Sequence, residues 1–253
     1  MIAVVTGASR GIGKQLCLDL AKAGYEVACA ARSSAEHPSK LPGSVDETAA
    51  MVRAAGGRAQ AHALDVRDED AVRRFADEIY RDHGRCDLLV NNAAIAYPTP
   101  ALQDSTKRWR LGVDVNLNGP FYLIYYLAPR MTSGASQVIN VSSGAAVFPE
   151  FGRANYTATK AALEAMSQAL AHDLAGKVGV NVLRLDLAVW SEGFAATLPD
   201  DTDIAFEHPV IMSDAVLWMA KQPVSYTAKV ETITDLRARG IVRPPTPMTA
   251  AKT

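Results

Sequence analysis

Tyr156 and Lys160 stand at i and i+4 in the stretch YTATK, a spacing that puts both on one face of a helix. A phenol with an ordinary pKa of about 10 is a poor base at neutral pH. A nearby ammonium favours the phenolate and lowers that pKa. The pair can then pass a proton to or from a carbonyl or hydroxyl oxygen. By itself the spacing describes a surface Tyr and Lys more readily than a site. Ser143, in NVSS, precedes Tyr156 by 13 residues and ends an apolar run. A hydroxyl in that place can hold the oxygen of a substrate.

A second group lies at the start of the chain. VVTGASRGIG carries Gly7, Gly11 and Gly13 directly after apolar residues. A helix N-terminus offers unpaired N–H groups and the positive end of a dipole. A dinucleotide pyrophosphate sits there only if the backbone comes close. Gly7 would then make the tight turn, Gly11 permit the approach and Gly13 let the helix pack on the strand. A bare glycine turn with no ligand is the competing reading. An ATP-type phosphate loop fails twice: Ala8 stands where that motif needs Gly, and Gln15 follows Lys14 where Ser or Thr is required.

These residues need a scaffold, and the rest of the chain supplies it. Apolar runs at 2–6, 26–31, 59–66, 86–92, 136–143 and 178–186 read as strands, separated by helical patterns. Repeated β-α-β with near-continuous apolar strands predicts a parallel sheet covered on both faces. The expected fold class is α/β: a single Rossmann-type, doubly wound parallel sheet with helices on both faces. One domain is expected over 1–242, including a short substrate lid at about 192–210. A Pro-rich tail, extended or partly disordered, follows at 243–253.

The motifs occur in a fixed order: TGASRGIG (6–13), NNAA (91–94), Asn116 in DVNLNG, Ser143 in NVSS, and YTATK (156–160). Together they resemble the short-chain dehydrogenase/reductase family, over about residues 2–192. The loop at 39–57 resembles the hydroxysteroid-dehydrogenase-like branch. The resemblance implies a catalytic set of Asn116, Ser143, Tyr156 and Lys160, with Asn116 anchoring a water and Lys160 in a proton relay. It implies cofactor contacts from Gly7, Ser9, Arg10, Gly11, Ile12 and Gly13. Asn92 and Ala93, Tyr156 and Lys160, and Val189 and Ser191 join them, the last two holding the nicotinamide carboxamide. Asp65 and Val66 resemble the pair that contacts adenine, and Asn91 is expected near the adenosine ribose.

Cofactor choice follows from charge. NAD sites carry an acidic residue at the end of the second strand. Here Ala31 holds that place and Arg32 follows. An Arg grips a 2′-phosphate bidentately, and Arg10 can reach the same group. The expected cofactor is NADP(H), against the alternative that Arg32 merely ends a strand in solvent. The substrate pocket is expected to be lined by Ala94, Tyr97, Ala145, Phe148, Phe151, Trp190 and Phe194. Those apolar and aromatic walls suit an uncharged ketone or secondary alcohol. Core packing competes equally for Phe148, Trp190 and Phe194. The family's Pro-Gly after the sixth strand is replaced by Asp186 and Leu187. Leu187 is expected to avoid positive φ, and Asp186 to face solvent or a loop N–H, against the alternative that Asp186 faces the pocket and selects a substrate bearing a cationic or hydroxyl group.

Composition narrows the function classes. The chain has 253 residues, 49% hydrophobic and 21% charged, with a formal net charge of -1. No basic surplus points to nucleic acid or to an anionic membrane. Cys17, Cys29 and Cys86 lie in apolar stretches and read as buried free thiols of a cytoplasmic protein. His83, His172 and His208 show no ligand spacing, so no metal is expected. GPFYLIYYLAPRM (119–131) is apolar round much of a helix, more than one sheet face can cover, and the family resemblance implies that this helix and the Tyr156 helix pair across a two-fold axis, giving a homodimer or homotetramer. The leading reading is an NADP(H)-dependent carbonyl reductase or secondary alcohol dehydrogenase. The alternatives are a redox-neutral epimerase or lyase that uses the cofactor transiently, and a non-enzymatic cofactor-sensing module.

Overall fold

The structure, a computed structural model, describes residues 1–198 and 204–248. Residues 199–203 of the expected lid and 249–253 of the tail lie outside the described residues. The chain opens with β1 (Ile2–Thr6), whose five residues are all buried. It passes through the glycine stretch into α1 (Gly11–Lys22) and returns as β2 (Glu26–Ala31). Next come α2 (Val45–Ala54), β3 (Arg58–Ala63), α3 (Glu69–His83) and β4 (Leu88–Asn91).

Local chemistry sets several of these bounds. Ser44 caps α2 by accepting the Glu47 N–H. Asp68 caps α3 by accepting the Ala71 N–H, and Gly84 ends it at φ 70. Between them Val72, Phe75, Ala76 and Ile79 recur at helical spacing and are buried.

α4 (Thr106–Val113) continues through a single π-helical turn, Asp114–Asn118, into α5 (Gly119–Leu127). Then follow β5 (Gln137–Ser143), the 20-residue α6 (Ala154–Asp173) and β6 (Gly179–Leu185). The remaining elements are α7 (Glu192–Ala195), β7 (Phe206–Glu207), α8 (Val210–Met219), β8 (Val230–Thr232), α9 (Ile233–Ala238) and β9 (Pro247–Met248).

The main sheet has seven strands in the order β3-β2-β1-β4-β5-β6-β8, and every pairing is parallel. The order reverses at β1 and β4, which opens a crevice beyond their carboxyl ends. One core, with Leu16, Val45, Met212 and Leu236, fills the face under α1, α2, α8 and α9. The other, with Phe75, Ile79, Leu123 and Leu127, fills the face under α3 and α5.

Two expectations are corrected. The third strand ends at Ala63, not Val66. The Asp65 carboxylate accepts the Arg67 N–H at 3.1 Å and bends the chain away from the sheet. A seventh strand, β8, also extends the sheet beyond the six apolar runs. Residues 243–248 of the expected tail run back along the domain, where β9 pairs antiparallel with β7. Arg243 forms an ion pair there with Asp214 at 2.6 Å.

Candidate active site

The glycine stretch forms a cradle without side chains. Gly7 and Gly11 adopt φ +66 and +52. A Cβ on Gly7 would stand 2.9 Å from Asn92 Nδ2, and one on Gly11 would stand 2.6 Å from Ser191 Cβ. A Cβ on Gly13 would run into the Gly7 carbonyl, so α1 packs on the turn only because that atom is missing. These three positions fit the N-terminal cradle for a pyrophosphate. Thr6, which the sequence reading passed over, fastens the cradle to the next loop. Its Oγ1 accepts the N–H groups of Asn92 and Ala93, both at 3.0 Å. Asn92 Nδ2 donates to the Thr6 carbonyl at 2.8 Å. Asn91 is buried, and its Nδ2 donates to Asn140 Oδ1 across β4 and β5, because its place in the strand turns it inward.

Arg10 has a task that its position alone did not reveal. Its Nε donates to the Pro42 carbonyl at 2.8 Å, and its Nη2 to Ser39 Oγ, Leu41 O and Gly43 O at 2.6–3.0 Å. It therefore pins the long loop between β2 and α2 over the glycine turn. Burial lowers the Arg10 pKa, Glu192 opposes that, and Arg32 adds to the lowering. Arg32 is thus within electrostatic reach of Arg10. It stands exposed after Ala31 and has no ion pair among the described residues. Asp65 is drawn below its usual value chiefly by its hydrogen bonds from Arg67, with Arg32 contributing from a distance. Val66 is buried, and its side chain lies against Gly119 at the start of α5.

The four residues of the expected catalytic set converge at the carboxyl end of β5. Ser143 is its last residue, and its Oγ accepts the Ala145 N–H at 3.3 Å. Tyr156 lies in the first turn of α6 with its phenol towards Ser143. Lys160 is buried one turn on, with Nζ 5.6 Å from the Tyr156 ring centroid. Nζ donates to the Val141 carbonyl at 2.7 Å. Asn116 sits in the π turn, fully buried. Its Oδ1 accepts the Ile95 N–H at 2.8 Å, and its Nδ2 donates to Ile95 O and to Thr159 Oγ1. The π turn thereby ties the loop after β4 to α6.

The electrostatics differ from the simple pairing. Burial raises the Tyr156 phenol above its ordinary value, and Ser143 and Arg153 only partly oppose it. The Lys160 ammonium donates to the Val141 carbonyl while standing 5.6 Å from the Tyr156 ring centroid. Burial lowers Lys160 to about 8, with Glu164 resisting.

The loops after the strands carry the expected substrate residues. Ala145 is buried, while Phe148 and Phe151 are 75% and 90% exposed and stand at the rim rather than in the core. Tyr97 is exposed under the Arg108 guanidinium, beside a recess of about 130 Å³ that Trp109, Gly152 and Asn155 also line. Ala94 and Trp190 are exposed and partly buried, respectively. Phe194 stacks edge-on against Phe206 at 5.5 Å and carries Arg153 over its other side. Arg153 therefore links α7 to Tyr156. Val189 is buried in a bridge to Glu207, and Ser191 Oγ caps α7 by accepting the Phe194 N–H. Glu192 reaches back to Lys14 of α1 at 3.5 Å. Asp186 is exposed and accepts the Thr234 N–H at 3.3 Å, and Leu187 keeps a negative φ. Among the described residues, no group of three His, Cys, Asp or Glu is placed to hold a metal ion, and no helix is long and apolar enough to cross a membrane.

The family profile described as short chain dehydrogenase matches residues 1–189. The chain is 32% identical over 242 residues to hydroxysteroid dehydrogenase-like protein 2 of Danio rerio, covering 94% of this chain and 58% of that protein. It thus spans little more than half the length of the curated relatives it matches. Among solved structures, a metagenomic short-chain oxidoreductase in complex with NADP superposes with a TM-score of 0.76 at 30% identity, covering 92% of this chain and 96% of that one. A putative dehydrogenase from Xanthomonas campestris superposes with a TM-score of 0.85 at 27% identity, covering 100% of this chain and 98% of that one.

Proposed function

This chain belongs to the short-chain dehydrogenase family, and from that premise we propose an NADP(H)-dependent oxidoreductase that interconverts an apolar ketone or aldehyde with its alcohol. The observation that carries the reading is the meeting of Tyr156 and Ser143 beyond the end of β5, with Lys160 buried behind them. The bound cofactor supplies the hydride or accepts it.

The chain's own residues do the rest. Gly7, Gly11 and Gly13, with Ser9 and Ile12, admit the pyrophosphate to the first turn of α1. Arg32 takes the 2′-phosphate, and Arg10 shapes the loop beside it. Asn92 and Ala93 line the crevice, Asp65 and Val66 border the adenine, and Val189 and Ser191 hold the carboxamide. The Ser143 hydroxyl holds the substrate oxygen. In reduction the Tyr156 hydroxyl gives its proton to that oxygen, and in oxidation the phenolate takes it back. Lys160 stabilises the phenolate form, and Asn116 fixes the π turn and the loop at Ile95. Bound NADP in the metagenomic relative supports the cofactor choice, as does the absence of an acid at Ala31.

Ala94, Tyr97, Ala145, Phe148, Phe151, Trp190 and Phe194 give the mouth an apolar character, which favours bulky uncharged substrates. A panel of carbonyl compounds, scored by NADPH oxidation, tests this. Apolar ketones and aldehydes are expected to exceed charged sugar acids by about tenfold or more in kcat/KM, as loss of one or two kcal/mol of apolar contact implies. A preference for charged substrates would contradict the reading. The same reading places the enzyme in the cytoplasm as a homodimer or homotetramer. Its three free thiols support the first. The exposed Phe121 and Tyr125, beside a recess of about 350 Å³ between α5 and α6, support the second.

A further inference from the structure

Tyr156 and Lys160 are followed, one further turn along α6, by Glu164, which is also buried. Its carboxylate makes no ion pair with Lys160 among the described residues. It turns to Arg184 of β6, whose Nε donates to Oε1 at 2.9 Å and whose Nη2 donates to Oε2 at 2.5 Å. Ser142 Oγ donates to the same Oε1 at 2.7 Å. Ser142 and Arg184 are register partners across β5 and β6. Ser142 also lies between Val141, whose carbonyl receives the Lys160 ammonium, and Ser143 of the site. Three neighbouring positions of β5 thus meet three turns of α6 through one polar bracket.

A buried ion pair is a poor fastener. An apolar pair of the same volume often holds a helix to a sheet as well or better. What an apolar pair lacks is charge one turn from Lys160. Glu164 carries a negative charge one turn from the ammonium, Arg184 carries the opposite charge held against it, and partial burial of the pair limits the screening of both.

We propose that Glu164 and Arg184 are positioning residues for the proton chemistry, holding Lys160 between its charged and neutral forms, Glu164 favouring the ammonium and Arg184 opposing it. The proposal rests on the reading that Lys160 serves Tyr156. The other groups around Lys160 leave this pair as its main charged neighbours. On α6 itself only Tyr156 and Glu164 are titratable within a turn on either side. The facing residues of β5, Val141 to Ser143, are uncharged, as are Asn116 and Thr159 at the π turn. Asp114 of that turn is engaged with Asn118. The segment 144–146 carries no charge, Glu150 and Arg153 act on Tyr156, and the cations of α4, which also packs on α6, are the exposed Lys107, Arg108 and Arg110. Beyond Arg184 on the β6 side, Asp186 adds a distant negative charge to the pair. Burial of Lys160 brings its titration to about 8, where small changes in neighbouring charge alter its protonation at neutral pH.

The test follows the Lys160 titration in the full chain without added cofactor. The reporter is the side-chain resonance of 13C-labelled lysine, assigned by its loss in Lys160→Arg. Glu164→Gln leaves Arg184 unopposed and is expected to lower the midpoint by about one pH unit. Arg184→Met leaves Glu164 unopposed and is expected to raise it by a similar amount. The double variant is expected to return near the wild-type midpoint. Loss of a merely structural bracket would not move the midpoint in opposite directions. Two single-variant shifts of the same sign, or none, would overturn the proposal. Should Arg184→Met fail to fold, Glu164→Gln decides alone, and a midpoint that holds or rises is the contrary result. The readout needs no substrate, so an inactive wild type would remove the proposed activity without touching this outcome.

Discussion

Tyr156→Phe is expected to lower turnover by about 10²–10⁴-fold while NADPH affinity stays within about twofold. The substitution removes one hydroxyl from a ring whose place in the first turn of α6 is otherwise kept. Ser143 stays free to hold the substrate oxygen, and the glycine cradle is untouched. What disappears is the proton that must reach the oxygen as the carbonyl carbon accepts hydride. The direction of the phenol's shift adds a pH signature. Burial keeps Tyr156 above its ordinary value, so the donor form persists through neutral pH and reduction does not need alkali. Oxidation needs the phenolate and is expected to rise as pH rises. Lys160 imposes a step near 8, since above it the ammonium that steadies the phenolate loses its proton. Steady-state rates for both directions across pH, beside equilibrium binding of NADPH, check this. A Phe variant reducing substrate at the wild-type rate would remove Tyr156 from the chemistry.

Arg32→Ala is expected to weaken NADPH by about 1.5–3 kcal/mol, roughly 10- to 150-fold, and to leave NADH nearly unchanged. The expectation comes from the division of labour between two guanidiniums. Arg10 has committed Nε and Nη2 to the loop at 39–43. Arg32 is exposed and has no ion pair among the described residues, so its fork is available for a 2′-phosphate. NADH lacks that phosphate and leaves Arg32 in water whether or not it binds. Calorimetric titration of both cofactors into both proteins measures the difference. Equal losses for the two would mean that Arg32 acts on the fold or on the shared part of the cofactor.

How far the sequence can be read varies from element to element. β1, β2, β4, β5 and β6 show themselves as apolar runs because both faces of a parallel sheet are covered. β8 does not, since Val230–Thr232 is three residues long in a polar stretch and is specified by pairing with β6. The Tyr156–Lys160 spacing is legible because helical geometry brings i and i+4 together. The Glu164–Arg184 pair is not, since its members lie on different elements and meet only when β6 is laid beside β5. The inward turn of Asn91 was within reach. Strand alternation sets it, and Asn140 faces it in register across the next strand. The hold of Arg10 on the loop at 39–43 was not, because its acceptors are mostly backbone carbonyls with no sequence signature. The π turn likewise adds one residue to a helix whose apolar pattern gives no warning of it.

The central claim is net hydride exchange with a substrate carbonyl. The most direct measurement is the ratio of NADPH consumed to alcohol formed by the wild-type protein, with both followed in one reaction. A redox-neutral epimerase or lyase would change its substrate and leave the cofactor total untouched, and a sensing module would bind NADPH without product. One NADPH is expected to be oxidised for each alcohol produced; product formed with no net loss of NADPH would mean that the protein catalyses no net reduction.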